Sequence, residues 1–160
     1  DGHIPQVEMT TSGMNRAPLI GKGEYPAYLA CNLYASTEQA YTGDPGSWLD
    51  CRFPKITQEG RDGDEVDGYI DNMRDGATAG FKYFDCRGIQ KVSVTVRGNN
   101  GGVFQVLTAW DGEPLGEIPL GNNIEWRTYT ADIKLPDGEC ALYFRYIGGS
   151  IVALKSFTLD

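Results

Sequence analysis

The stretch KVSVTVRGNNGGVFQVLTAW, Lys91 to Trp110, decides the fold class. Val92, Val94 and Val96 alternate strictly with Ser93 and Thr95, the period-two spacing of a strand that buries one face. GNNGG (Gly98 to Gly102) follows as a turn of the hairpin type, because Gly and Asn accept the positive φ such turns require. In VFQVLTAW, Phe104, Val106, Thr108 and Trp110 then share one face.

Working outward, the same punctuation continues. DGEPLG turns the chain, and GEIPL is a short strand whose proline suits a sheet edge. GNN precedes EWRTYTADI, LPDGE precedes CALYFRYI, and GGS leads into the last strand, IVALKSFTL. Upstream, GFKYFDC is short and aromatic, and AYLACNLY (Ala27 to Tyr34) is the first plausible strand. Residues 1–24 show neither period and read as a linker or lead-in, with the folded module over 25–160. Residues 35–66 read as a long connection with TGDPGS as a turn signal, and connections of that length in a compact domain are often functional. No segment shows a capped 3.6-residue period. Short strands separated by Gly/Asn/Asp turns predict an all-β, antiparallel β-sandwich.

Composition agrees. The 160 residues suffice for one domain with a real core. Glycine is abundant, at 21 residues, and aromatics are plentiful. The net charge of −8 disfavours phosphate backbones and anionic lipids, which argues against nucleic acid and membrane partners. No apolar run approaches the roughly 20 residues that span a bilayer. The first residue is Asp1, so the chain reads as processed or excised from something longer. Cys31, Cys51, Cys86 and Cys140 have no CxxC spacing, which leaves small buried hydrophobes or at least one bridge.

Catalytic material is scarce. His3 is the only histidine, so Ser/His/Asp and Cys/His systems have almost nothing to draw on. GKGE lacks the phosphate-loop spacing. The many acids sit in turn-rich segments, where solubility is the ordinary role, and the bare domain reads as a non-enzyme. GRDGDEVDGYIDNMRDG (Gly60 to Gly76) holds six carboxylates against two arginines, but no register matches the EF-hand, since Met73, Lys82 or Val66 fall where oxygen ligands are required. An irregular cation site on Asp62, Asp64 and Glu65 stays open beside a solvated loop.

The strands in detail resemble the family 6 carbohydrate-binding modules, specifically those at the C-terminal end of family 43 glycoside hydrolases of the xylosidase/arabinofuranosidase type. The resemblance is carried by YIDNMRDGATAGFKYFD (Tyr69 to Asp85), GGVFQVLTAWDGEPLGEIPLG (Gly101 to Gly121), EWRTYTADI and GECALYFRYIGGSIVALKSFTL. It implies a jelly-roll sandwich, galactose-binding-domain-like, that binds polysaccharide without chemistry. It further implies a monomer, secreted by a bacterium and covalently attached to a catalytic domain. The family's edge cleft matches this chain at Tyr69, while Asn123 and Ala153 stand where a tryptophan and an asparagine are usual. No cofactor is required for binding, and calcium is the ion the resemblance implies structurally. The positions matching its glutamate and aspartate ligands are Cys31 and Lys155, and a lysine cannot ligate calcium.

Sugar binding needs an aromatic platform for the CH faces of the ring, with amides or carboxylates for the hydroxyls. The edge supplies Tyr69, Asn72, Asn122 and Asn123, helped by Tyr41 and Trp48 from the long loop. Tyr69 and Trp48 have core roles as the alternative. Tyr83, Trp110, Tyr143 and Tyr146 are expected to fill the sandwich, with an exposed sheet face as the alternative, and Trp126 is expected in the core. The sequence thus reads as a non-catalytic module that targets a glycoside hydrolase to plant cell-wall polysaccharide, xylan or arabinoxylan. The rival reading is a degenerate module that packs on its catalytic domain without binding sugar.

Overall fold

The structure is a computed structural model that describes residues 2, 6–36, 53–61, 63–64, 67–98 and 101–160. Twelve strands are present among these: β1 (Leu19–Ile20), β2 (Gly23–Pro26), β3 (Asn32–Tyr34), β4 (Lys55–Gln58), β5 (Gly68–Met73) and β6 (Thr78–Asp85) come first. They are followed by β7 (Lys91–Gly98), β8 (Gly102–Leu107), β9 (Gly116–Leu120), β10 (Asn123–Asp132), β11 (Glu139–Ile147) and β12 (Val152–Leu159). Among the described residues a single 3₁₀ turn, Ala27–Leu29, occupies the start of what reads as the first strand in sequence.

Two six-stranded sheets face each other. The front sheet runs β1-β6-β11-β8-β9 with β3 also beside β6, and the back sheet runs β10-β7-β12-β5-β4 with β2 beside β12. The all-β sandwich reading is therefore right. The hairpin reading of GNNGG is not, because β7 pairs with β10 and β12 whereas β8 pairs with β9 and β11. The glycines turn the chain, but they carry it from one sheet to the other. GEIPL does form an edge strand, β9, and Pro119 sits there without interrupting an interior ladder.

The core lies between the sheets. Val92, Val94 and Val96 of β7 point inward as their alternation requires, and all are buried. Phe157 of β12 is the hub, with ring centroids 4.7 Å from Phe81, 4.8 Å from Phe144 and 5.8 Å from Phe84. Fully burying one such aromatic contributes about 1.5–3 kcal/mol, so this cluster anchors the two sheets to each other.

The lead-in is not a free linker. Thr11 donates its backbone N–H to Lys82 O at 2.6 Å, its Oγ1 accepts from Lys82 N at 2.8 Å, and β1 pairs in parallel with Phe84 and Asp85 of β6. The boundary expected after residue 24 falls inside β2, which pairs with β12. The long connection likewise contains β4, which pairs with β5.

Candidate functional site

The outer surface of the front sheet carries an aromatic platform. On β11, Phe144 and Tyr146 point into the core, so Tyr143 and Arg145 point out. Across the strands Tyr34, Thr78, Arg145, Gln105 and Glu117 form one row by register. Trp110, just beyond β8, folds back over that row. Its ring centroid lies 3.9 Å from that of Tyr34, tilted by 47°, and 6.5 Å from that of Tyr143. Arg145 fixes Trp110 from beneath: Nη2 donates to Trp110 O at 2.6 Å, and the guanidinium carbon is 5.6 Å from the ring centroid. Nε of Arg145 also donates to Thr78 Oγ1 at 3.3 Å.

Gly80 makes room for this arrangement. A Cβ there would lie 2.8 Å from Tyr143 Cε1, so only glycine lets the tyrosine ring lie against the strand. Burial pushes the Tyr143 phenol up, and it stays neutral. Tyr34 remains 38% exposed. Gln105 Nε2 donates to Glu117 Oε1 at 2.9 Å in the open, which places an amide and a carboxylate in the same row. Stacking rings beside donors and acceptors is the arrangement a neutral sugar needs.

Trp110, Tyr143 and Tyr83 therefore face outward rather than into the core, while Tyr146 is buried as expected. Tyr83 is engaged by the lead-in, its hydroxyl donating to Glu8 Oε2 at 2.9 Å. Hydrogen bonding from Lys82 and Tyr83 holds the Glu8 carboxyl below its usual range.

The edge expected to bind sugar is built differently. Tyr69 and Trp126 meet on the outer surface of the back sheet, centroids 5.3 Å apart and at 68°. Arg97 covers both rings, its guanidinium carbon 4.9 Å from the Tyr69 centroid and 4.4 Å from that of Trp126. Nη2 of Arg97 donates to Tyr69 Oη at 3.0 Å, and Nη1 pairs with Glu59. Trp126 is thus not a core residue. Regular alternation turns the indole outward, since Trp126 is in step with Thr128 and Thr130, which meet Thr95 and Ser93 on the outer surface, and the register shift between Asn123 and Arg127 is an even one of two residues.

Asn123 serves that register shift. Its Nδ2 donates to Val96 O at 3.1 Å and Glu125 O at 2.6 Å, and its Oδ1 accepts from Tyr129 Oη at 2.9 Å. Asn72 is 8% exposed at φ 60°, a left-handed position that asparagine tolerates, and is buried one residue before the end of β5 rather than facing solvent. Asn122 is exposed. Tyr41, Trp48, Asp62, Glu65, Cys51 and His3 lie outside the described residues. Asp64 Oδ2 accepts from Arg61 N at 2.7 Å and closes its own turn.

The implied calcium does not fit. Cys31 belongs to the front sheet, where its Sγ donates to Gly80 O at 3.4 Å, whereas Lys155 is on β12 of the back sheet. Facing β12 instead is Glu24 of β2, whose Oε1 accepts from Ser156 Oγ at 2.7 Å. Lys155 Nζ lies 3.1 Å from Asp67 Oδ2, so an ammonium already stands where a dication would need carboxylates. Among the described residues no group of three His, Cys, Asp or Glu side chains is placed to hold a metal. Cys31, Cys86 and Cys140 are free thiols; burial, then the neighbouring Cys140, pushes Cys86 up to about 12.

No family model matches the sequence. A xylosidase/arabinosidase from Thermoclostridium stercorarium is 57% identical over 159 residues, 99% of this chain. The chain spans about a third (34%) of that relative's length. A carbohydrate-binding module from Clostridium stercorarium, solved with cellobiose, superposes with a TM-score of 0.69 at 18% identity, over 90% of this chain and 97% of the module. The fold is that of the family 6 carbohydrate-binding modules. A family 43 arabinoxylan arabinofuranohydrolase from Bacillus subtilis, solved with cellotetraose, contains the same fold, with a TM-score of 0.68 at 14% identity over 90% of this chain and 28% of that one. The resemblance read from the motifs thus reappears in three dimensions, in stand-alone binding modules and within a larger hydrolase.

Proposed function

We propose that this chain is a non-catalytic carbohydrate-binding module that holds an attached glycoside hydrolase against plant cell-wall polysaccharide, xylan or arabinoxylan, outside the cell. The observation that carries this reading is the open Tyr34–Trp110 pair above the Arg145, Gln105 and Glu117 row. The flat ring faces take the CH surface of a pyranose, and the polar row supplies partners for its hydroxyls. The acidic surface is indifferent to a neutral glycan. Tethering raises the local substrate concentration of the linked enzyme without new chemistry.

Affinity gel electrophoresis on xylan, arabinoxylan, arabinan and mixed-linkage β-glucan tests the reading. Retardation on the xylans is expected, and a folded module retarded by none of the four would overturn it. The second reading, a structural module packed on its catalytic partner, is favoured by Arg97 covering Tyr69 and Trp126 and by the internal use of Asn123. That reading requires the absence of retardation on every glycan.

A further inference from the structure

Two connections cross between the sheets at one end of the sandwich, and a cysteine sits at each. Residues 86–90 take the chain from β6 of the front sheet to β7 of the back sheet, and residues 133–138 bring it from β10 back to β11. Cys86 opens the first connection, and Cys140 is the second residue of β11. The connections touch: Gly88 N donates to Asp137 Oδ1 at 3.0 Å, and Leu135 N to Ile89 O at 3.2 Å.

Register brings the two thiols together. Glu139 pairs with Asp85 and Cys140 with Phe84, and Cys86 N donates to Gly138 O at 2.8 Å, one step further along the same ladder. Cys86 therefore faces Gly138, two residues before Cys140, so the cysteines are diagonal neighbours with side chains on one face. That face is the core side: Cys86 is fully buried and Cys140 is 8% exposed. The two thiols are hydrogen-bonded to each other, and Cys140 Sγ also donates to Pro136 O at 3.5 Å. Gly138 places no side chain between them. Cys31 is engaged elsewhere, with Gly80 O and Asn32 Oδ1. Among the described residues no third ligand joins the pair to make a metal cage, so the chemistry open to it is a bond between the sulfurs.

We propose that Cys86 and Cys140 are joined by a disulfide in oxidising surroundings, which staples the two crossovers to each other. Outside the cell, where the module is proposed to act, such surroundings are the rule, and the bond itself does not depend on sugar binding. The oxidant is a low-molecular-weight disulfide of the glutathione class. Cys140, the more accessible sulfur, loses its proton and attacks one sulfur of the oxidant, which forms a mixed disulfide and releases one thiol. The Cys86 thiolate then attacks Cys140 Sγ, and the second thiol leaves. The two cysteines give up two electrons and two protons, and the oxidant takes both and ends as two thiols. Burial keeps Cys86 protonated at neutral pH, so the exchange is slow in the folded protein and belongs to folding. The bond closes a loop of about 55 residues, from β7 to the start of β11, and so restricts the unfolded chain.

The experiment refolds the reduced, denatured 160-residue chain in a glutathione redox buffer, blocks remaining thiols with iodoacetamide and maps tryptic peptides without reduction. Peptides Tyr83–Arg87 and Leu135–Arg145 are expected as one species, lighter than their sum by two hydrogens, that dithiothreitol separates. The chain carrying Cys31→Ala and Cys51→Ala, whose only thiols are this pair, should melt roughly 5–10 °C higher when oxidised than when reduced. A further Cys86→Ala exchange should abolish that difference. Alkylation of Cys86 and Cys140 after refolding, pairing of either with Cys31 or Cys51, or a linked form that melts no higher than the reduced one would overturn the proposal.

Discussion

Gly80→Ala is the substitution that most directly probes how the platform is held. The added Cβ would meet Tyr143 at 2.8 Å (Cε1) and 3.0 Å (Cδ1), with Asn32 Cβ at 3.3 Å on the other side. Carbon atoms rest about 3.5–4.0 Å apart, so the ring must retreat by most of an ångström. Trp110 lies on one side of that ring and the strand on the other, which leaves no easy direction. Overpacking of this kind costs about 1–3 kcal/mol. Exchanging glycine for alanine within a strand returns about 0.5–1 kcal/mol of backbone entropy. The net expectation is a loss of about 1 kcal/mol, a fall in Tm of about 2–4 °C for a domain of this size. Polysaccharide retention should weaken by several-fold, because Tyr143 supports Trp110. Gly149→Ala is the control, since no atom lies within 4 Å of its would-be Cβ. Urea titration and affinity electrophoresis of both variants make the comparison. If Gly80→Ala matched Gly149→Ala in stability and retained full binding, the argument from close approach would be wrong.

Three further outcomes are expected. Arg97→Ala removes a half-exposed ion pair and two cation–π contacts; after discounting for solvent, stability should fall by about 1–2 kcal/mol, and Trp126 fluorescence should change as the indole opens to water. Chelator and millimolar calcium should give the same melting midpoint, because Lys155 stands where a dication would bind; a midpoint raised by calcium would contradict the site's description. Burial raises the Cys86 thiol from its ordinary value of 9.0 to about 12, so the folded state holds its proton more tightly than the unfolded chain does. The resulting stability is fully present below pH 9 and is lost as pH rises toward 12, which denaturant melts across that window would show and which Cys86→Ala should flatten.

The sandwich was legible in the sequence because alternation is local. Val92, Val94 and Val96 announce β7 without help from the rest of the chain, and Pro119 marks an edge by chemistry alone. Which sheet β8 joins was not legible, since GNNGG specifies a turn and not a partner. The aromatics were misplaced for a related reason. Parity along a strand assigns faces only while the strand lasts, and β8 ends at Leu107, before Trp110; the outward face of Trp126, by contrast, was legible in its alternation with Thr128 and Thr130 of β10. Tyr34 escaped notice because it closes a three-residue strand, too short for a pattern. The covering of Tyr69 by Arg97 depends on strands far apart in sequence, and no motif signals it.

The proposed function turns on sugar binding across Trp110. Isothermal titration of the wild-type module and Trp110→Ala with xylohexaose tests it most directly. The prediction is a saturable heat for the wild type and a loss of at least about tenfold in affinity, roughly 1.4 kcal/mol, for the variant with its fold intact. Equal affinities for the two proteins, or no heat from either, would contradict the claim.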